Sequence, residues 1–126
     1  MTPVNPRKVL TAFTADVVCV LVFCALGRRS HAEGVTVAGV AETAWPFLAG
    51  TVVGWLVSRA WQRPVSIAPT GVAVWLSTVV VGMLLRKATS AGVALSFVIV
   101  ASLVTAALLL GWRSVAAVLQ RRSPAA

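Results

Sequence analysis

The run VLTAFTADVVCVLVFCALG, residues 9–27, decides the fold, because it is almost wholly apolar and holds one charged residue, Asp16. An apolar helix of about 20 residues crosses the hydrocarbon core of a bilayer. A carboxylate inside that core costs roughly 2.5–3.5 kcal/mol on insertion scales, so it normally faces other helices or water. The sequence therefore predicts an integral membrane protein that must provide a partner for Asp16.

The composition extends this prediction to the whole chain. Of 126 residues, 59% are hydrophobic and 11% are charged, and the mean hydropathy is +0.92. A soluble domain carries about 25% charged residues, so this chain cannot build a water-facing surface. We predict one transmembrane domain over residues 1–126, an all-α membrane protein with four transmembrane helices. Their approximate bounds are 9–27, 43–61, 69–85 and 93–112, with a cytoplasmic leader at 1–8 and a basic cytoplasmic tail at 114–126.

Two boundaries remain open. Thr43 is a candidate N-cap for the second helix, which would place Pro46 in the first turn, where its missing N–H costs little. If the helix instead begins near Val37, within the weakly apolar segment 35–41, Pro46 lies inside it. The basic tail after Trp112 lies either at the membrane surface or in an extension of the fourth helix.

Asp16 shares one helical face with Ala12, Ala15, Cys19 and Phe23, at i, i+3, i+4 and i+7 spacing. Small residues beside a polar group are typical of a contact between membrane helices. Asp16 is therefore predicted to face the other helices of the bundle.

Glycines at helical spacing predict further close helix contacts. Gly50 and Gly54 form a GxxxG pair in the second helix, and Ala107 and Gly111 form a small-xxx-small pair in the fourth. A stripe of small, polar and aromatic residues runs along the third helix and ends at Arg86. Its members are Gly71, Trp75, Thr78 and Gly82. Packing is the ordinary explanation for such a stripe.

Two interpretations of Asp16 are open. In the structural one it joins helices through hydroxyls such as Thr78 or a serine of the fourth helix, and it is neutral because no buried base is evident unless Arg59 or Arg86 reaches inward. In the functional one it is a proton or cation site, with Trp75 and Thr78 lining a path.

The net charge of +8 arises from basic groups at the ends of apolar runs. No basic stripe interleaved with aromatics is present, so we do not expect nucleic-acid binding. The positive-inside rule predicts that both termini are cytoplasmic and that the protein is multi-pass in the cell membrane. Seven basic residues fall on the inner side (Arg7, Lys8, Arg59, Arg63, Arg113, Arg121, Arg122) and four on the outer side (Arg28, Arg29, Arg86, Lys87).

The outer side is basic for its size. Arg28, Arg29, His31 and Glu42 are candidate outer-interface residues, and the arginines there are expected to meet anionic lipid headgroups or the acidic surface of a partner. Glu42 is expected to lie near a helix N-terminus, where the helix dipole favours a negative charge. His31 is the single histidine and has no second ligand at metal-binding spacing, so no metal site is expected.

The sequence carries no motif for catalysis. No G-x-S-x-G setting, Gly-rich phosphate loop or haem motif occurs, and no cofactor is expected. Cys19 and Cys24, five residues apart on one helix, point in different directions and are interpreted as packing thiols.

Several short motifs carry a resemblance to a known family. They are Asp16 in the first helix, Pro46-Phe47-Leu48-Ala49-Gly50 leading to Gly54-Trp55, Trp75-Leu76-Ser77-Thr78 leading to Gly82-Met83 and Arg86, and the closing Gly111-Trp112-Arg113. From about Ala12 to Arg113 the chain resembles the small prokaryotic integral membrane proteins of domain of unknown function 3054. That resemblance implies a four-helix membrane fold and assigns no functional residue.

The sequence thus predicts a non-enzymatic structural or accessory component of a membrane complex, either a homo-oligomer or bound to another membrane protein. The alternative is a small proton- or cation-coupled transporter or channel that uses Asp16.

Overall fold

The computed structural model describes residues 4–30 and 34–122, so His31 lies outside the described residues. Within these ranges the chain is helical and contains no strand. The elements are α1 (Pro6–Ser30), α2 (Val37–Ser58), a 3₁₀ turn (Ala60–Gln62), a π turn (Ile67–Gly71), α3 (Val72–Ala88) and α4 (Leu95–Arg122). Four segments are long and apolar enough to cross a membrane, namely α1, α2, α4 and the π turn together with α3. The predicted all-α class and the four helices are confirmed.

The second helix begins at Val37. Thr36 is its N-cap, with extended backbone (φ −117°, ψ 159°) and a hydroxyl that accepts a 3.0 Å hydrogen bond from the Gly39 amide. The predicted cap at Thr43 is therefore wrong, and the alternative start near Val37 is correct. Thr36 provides the same capping hydroxyl seven residues earlier. Pro46 consequently lies inside α2, and Glu42 lies exposed in its second turn.

The helix α3 has an irregular start at the position predicted for it. Ala68 has extended backbone angles (φ −127°, ψ 133°) inside the π turn, as expected for a residue that precedes a proline, here Pro69. The hydrogen bond from the Gly71 amide to the Ser66 carbonyl, 2.9 Å long, closes this turn before α3 continues to Ala88. The α2–α3 connection is thereby folded back against the bundle.

Helices α2 and α3 form the tightest contact in the bundle, and two glycines of α2 lie in it. A Cβ atom at Gly50 would stand 2.5 Å from the Ser77 carbonyl oxygen and 2.8 Å from the Thr78 Cα. A Cβ atom at Gly54 would stand 2.8 Å from the Val74 Cα. The two backbones therefore approach as closely as small residues allow.

An aromatic cluster fills the half of the bundle that contains Arg28 and Arg86. Phe23 of α1 meets Phe47 of α2 edge to face, with ring centroids 5.3 Å apart, and Phe97 of α4 lies 6.3 Å from Phe23. The Phe47 ring lies directly against Gly82 of α3. We call this half the Arg28 end, and the half beside the α2–α3 loop the Arg113 end.

The tail after Trp112 continues α4 in one helix to Arg122, so of the two alternatives for this tail the helical extension is correct. The same helix is the least buried of the four. Only 17% of the residues in its apolar 18-residue stretch are buried within the chain, against 28–39% for the other three. Most of α4 is therefore free to contact lipid or another protein.

Candidate functional site

Asp16 lies at the centre of a buried polar cluster in the Arg113 end. Its two carboxylate oxygens accept hydrogen bonds from both terminal nitrogens of Arg113, Nη1 to Oδ1 and Nη2 to Oδ2, each 2.8 Å long. The side chains of both residues are fully buried. This is a bidentate ion pair that joins α1 to α4 across 97 residues of sequence.

Two tryptophans complete the coordination of the same carboxylate. The indole N–H of Trp55, near the end of α2, donates to Oδ2 at 2.8 Å. The indole N–H of Trp112, on α4, donates to Oδ1 at 2.9 Å. Phe13 packs edge to face against Trp55, with centroids 5.2 Å apart, and holds that ring in place. Each oxygen of Asp16 thus accepts one guanidinium and one indole donor.

Two backbone carbonyls also hold Arg113 in place. Its Nε donates to the carbonyl of Pro64 in the α2–α3 loop at 3.1 Å, and its Nη1 donates to the carbonyl of Leu109 at 3.1 Å. Gly71 leaves room for the aliphatic part of the chain, because a Cβ there would stand 3.0 Å from the Arg113 Cδ. The guanidinium also lies 4.5 Å from the Trp112 ring centroid. One side chain therefore links α4, α1 and the loop.

All four groups that bind Asp16 are N–H donors, so both oxygens act as acceptors. A carboxylate is the form that offers acceptors only, whereas a protonated acid would direct an O–H toward donors. Removing either charge from such a pair leaves the other buried without compensation. This arrangement is suited to hold α1, α2, α4 and the α2–α3 loop together.

The residues of this cluster lie within a stretch that matches a protein family. A family model described as a protein of unknown function, DUF3054, matches residues 13–116, which include Asp16, Trp55, Trp112 and Arg113. The match covers most of the chain. The chain belongs to the DUF3054 family. No curated protein and no solved structure matches it.

The partners of Asp16 in this DUF3054 chain differ from those predicted. Thr78 does not bind it: the Thr78 hydroxyl lies 2.8 Å from the hydroxyl of Thr51, and the two join α2 to α3. Arg59 is exposed, and Arg86 donates to loop carbonyls at the opposite end. The expectation of hydroxyl partners without a buried base is wrong, since Arg113 is that base.

The remaining predicted site residues do not gather around Asp16. Trp75 donates its indole N–H to the carbonyl of Ser102 at 3.0 Å, which ties α3 to α4. Arg28 and Arg86 lie at the Arg28 end, and Arg29 and Glu42 are exposed. The described residues bring no group of three or more His, Cys, Asp or Glu side chains together.

The burial of Arg113 also changes the charge count that predicted the orientation of this DUF3054 chain. The sequence predicts Arg113 at the inner surface, but it is fully buried and paired with Asp16. Six basic residues rather than seven then remain on the side of the termini, against four on the other side. The margin for cytoplasmic termini is smaller than the sequence alone indicates.

The cluster predicts a measurable role for each indole N–H in this DUF3054 protein. Trp112→Phe keeps an aromatic ring beside Arg113 but removes one hydrogen bond to a buried carboxylate. We expect the free energy of unfolding to fall by about 1.5–3 kcal/mol, the range for hydrogen bonds to charged groups. Denaturant titration in detergent micelles measures this value. Trp45→Phe, at an exposed position of α2, is the matched control and should change it little.

Proposed function

We propose that this chain is a non-enzymatic structural or accessory component of a membrane complex. The observation that carries the proposal is that the buried polar groups are satisfied within the bundle, and that those of Asp16, Thr78 and Trp75 join different helices. Within the described residues, no buried side-chain nitrogen or oxygen lacks a hydrogen-bond partner. Asp16, the costliest of these groups, is enclosed by Arg113 and two indoles.

The open face of α4 supports association with another membrane helix. Ala107 is exposed, and a Cβ at Gly111 would meet nothing within 4 Å. Leu103 and Val115 lie four residues to either side on the same face and are 67% and 59% exposed. Small residues between larger apolar ones let a second helix approach closely. The partner we propose is a helix of a second copy or of another membrane protein.

The variant Gly111→Leu tests this association without disturbing the fold, because the space beside Gly111 is open within the chain. We expect the oligomer or the co-purifying partner in mild detergent to be lost, while the helical content of the chain stays unchanged. Size-exclusion chromatography with light scattering measures the first, and circular dichroism the second. Val57→Leu, on the exposed face of α2, is the matched control. A monomer that purifies alone, or an assembly that Gly111→Leu leaves intact, would overturn the proposal.

A proton- or cation-coupled transporter is the competing function, and flux measurements separate the two. Purified protein in liposomes loaded with a pH-sensitive dye should show no flux above empty liposomes. A pH-dependent flux that Asp16→Asn abolishes and Trp112→Phe preserves would establish the transporter instead. The second variant is needed because an asparagine amide would direct N–H groups toward the Arg113 and indole donors.

We further propose that the protein is multi-pass in the cell membrane with both termini in the cytoplasm. The support is the excess of basic residues on the side of the termini. A green fluorescent protein fused after Ala126 should fluoresce, and alkaline phosphatase fused at the same position should be inactive. The reverse pattern would invert the orientation.

A further inference from the structure

A cavity of about 480 Å³ lies at the Arg28 end, between α1 and α4. Its volume falls within the range of small-molecule and cofactor sites, which are mainly apolar with a few placed polar groups. The apolar wall comes from both helices and comprises Phe23, Cys24, Leu26, Phe97, Val100 and Val104. The Asp16 cluster lines no part of this cavity, so it is a separate feature of the molecule.

The polar lining of the cavity is dominated by two arginines. Arg28 at the end of α1 and Arg86 at the end of α3 both line it, together with Thr43 of α2. Arg29 and Lys87, which follow Arg28 and Arg86 in the sequence, are exposed. Among the residues that the structure describes, Glu42 is the acidic residue at this end. The cavity therefore combines a long apolar wall with a strongly basic rim.

Both guanidinium groups are held in place at this rim. Arg28 donates to the Gly34 carbonyl at 2.8 Å and to the Thr43 hydroxyl at 3.1 Å, and it lies flat against Gly39, where a Cβ would stand 2.6 Å from Nη2. Arg86 donates through Nε and Nη2 to the carbonyls of Gly92 and Ala91, at 3.0 and 2.8 Å. A guanidinium has five N–H donors, so these bonds position Arg86 without using all of its donors.

Two apolar residues that line the cavity are themselves exposed on the side of the bundle. Leu26 of α1 and Val100 of α4 are 51% and 53% exposed, as lipid-facing residues are. The arginines lie where α1 and α3 end, which is the level of the lipid headgroups when the helices cross a bilayer. A molecule that enters from the bilayer would thus meet apolar walls along its chain and cations at its head.

We propose that this cavity binds one acidic phospholipid, with an acyl chain against the Phe23 and Phe97 wall and the phosphate at Arg86. Arginine recognises phosphate through paired, charge-assisted hydrogen bonds, which are about twice as strong as neutral ones. A zwitterionic lipid offers the same phosphate but brings its own cation toward the basic rim. The charge of the rim therefore selects a lipid with net negative charge.

Native mass spectrometry of the detergent-purified protein tests the site with phosphatidylglycerol and phosphatidylcholine of the same acyl chains. We expect one phosphatidylglycerol to be retained per chain, with at least about tenfold weaker retention of phosphatidylcholine. Arg86→Gln should weaken phosphatidylglycerol binding about tenfold, as loss of hydrogen bonds to a charged group predicts. Lys87→Gln removes the same charge one residue away and is the matched control, with a change of less than about twofold.

One further variant keeps the test independent of folding at Arg86. Val100→Trp fills the apolar part from an exposed position on α4 and keeps both arginines. It should weaken phosphatidylglycerol retention while the melting temperature of the lipid-free protein stays within a few degrees. Equal retention of the two lipids, equal loss for Arg86→Gln and Lys87→Gln, or unchanged binding by Val100→Trp would overturn the proposal. Retention of oleate in place of phosphatidylglycerol would overturn the phospholipid assignment.

Discussion

Replacing Arg113 with methionine should lower the free energy of unfolding by about 3–5 kcal/mol, the cost of removing one partner from a buried ion pair. Methionine keeps a similar apolar length beside Gly71 but leaves Asp16 with its charge buried and only two indole donors. It also leaves the Pro64 carbonyl without the Arg113 Nε donor. The loss exceeds the contribution of any single hydrogen bond in the cluster.

The double variant Asp16→Leu with Arg113→Met distinguishes an ion pair from simple packing. Replacing a buried pair by apolar side chains of similar volume is often neutral, so the double variant should recover most of the stability that Arg113→Met loses. Denaturant titration in micelles, followed by circular dichroism, gives the free energy of unfolding of the parent, of Arg113→Met, of Asp16→Leu and of the double variant. Arg63→Met, at an exposed arginine of the α2–α3 loop, is the control and should stay close to the parent. Losses that simply add in the double variant would show that Asp16 and Arg113 do not act as a pair.

Much of the fold follows from local pattern. Four apolar runs of membrane-spanning length predict four helices, and the face shared by Ala12 and Asp16 is the face that is buried. Both are properties of consecutive residues, which the helical period of 3.6 converts into geometry. Local sequence does not decide the start of α2, because Thr36 and Thr43 both offer a hydroxyl that can cap a helix.

The candidate site could be predicted only in part, because its members are distant in sequence. Asp16 is recognisable in the sequence as a charge inside an apolar run. Arg113 follows an apolar run and so resembles an ordinary arginine at the level of the lipid headgroups. The spacing on α4 is consistent with a buried Arg113, since Ala101, Thr105, Leu109 and Arg113 recur every four residues and are all buried. This row extends the buried face of α4 past Trp112. It identifies Arg113 as the partner of Asp16 only when α1 is known to lie beside α4.

The tryptophans illustrate the same limit. Trp55 and Trp112 each follow a glycine near the end of an apolar run, a placement typical of residues at the membrane interface. Their indole N–H groups instead converge on one carboxylate from two helices. A pattern common to many membrane proteins thus concealed a specific contact, since the direction of each ring depends on tertiary packing.

The second large effect is expected at Gly50, where α2 and α3 are closest. A Cβ there would stand 2.5 Å from a backbone oxygen, and backbone cannot move aside as the end of a flexible side chain can. Gly50→Ala should cost about 1–3 kcal/mol, and Gly50→Leu more, because the added side chain must push the helices apart. Separating them also strains the hydrogen bond between Thr51 and Thr78, one residue further along α2.

Another glycine of the same chain provides a matched control for this measurement. A Cβ atom at Gly27 would meet nothing within 4 Å, so alanine there should be neutral or stabilising by up to about 1 kcal/mol through helix propensity. Denaturant titration of the two alanine variants under one condition compares identical chemical changes in different surroundings. If Gly50→Ala proved as stable as Gly27→Ala, the α2–α3 contact would not depend on glycine.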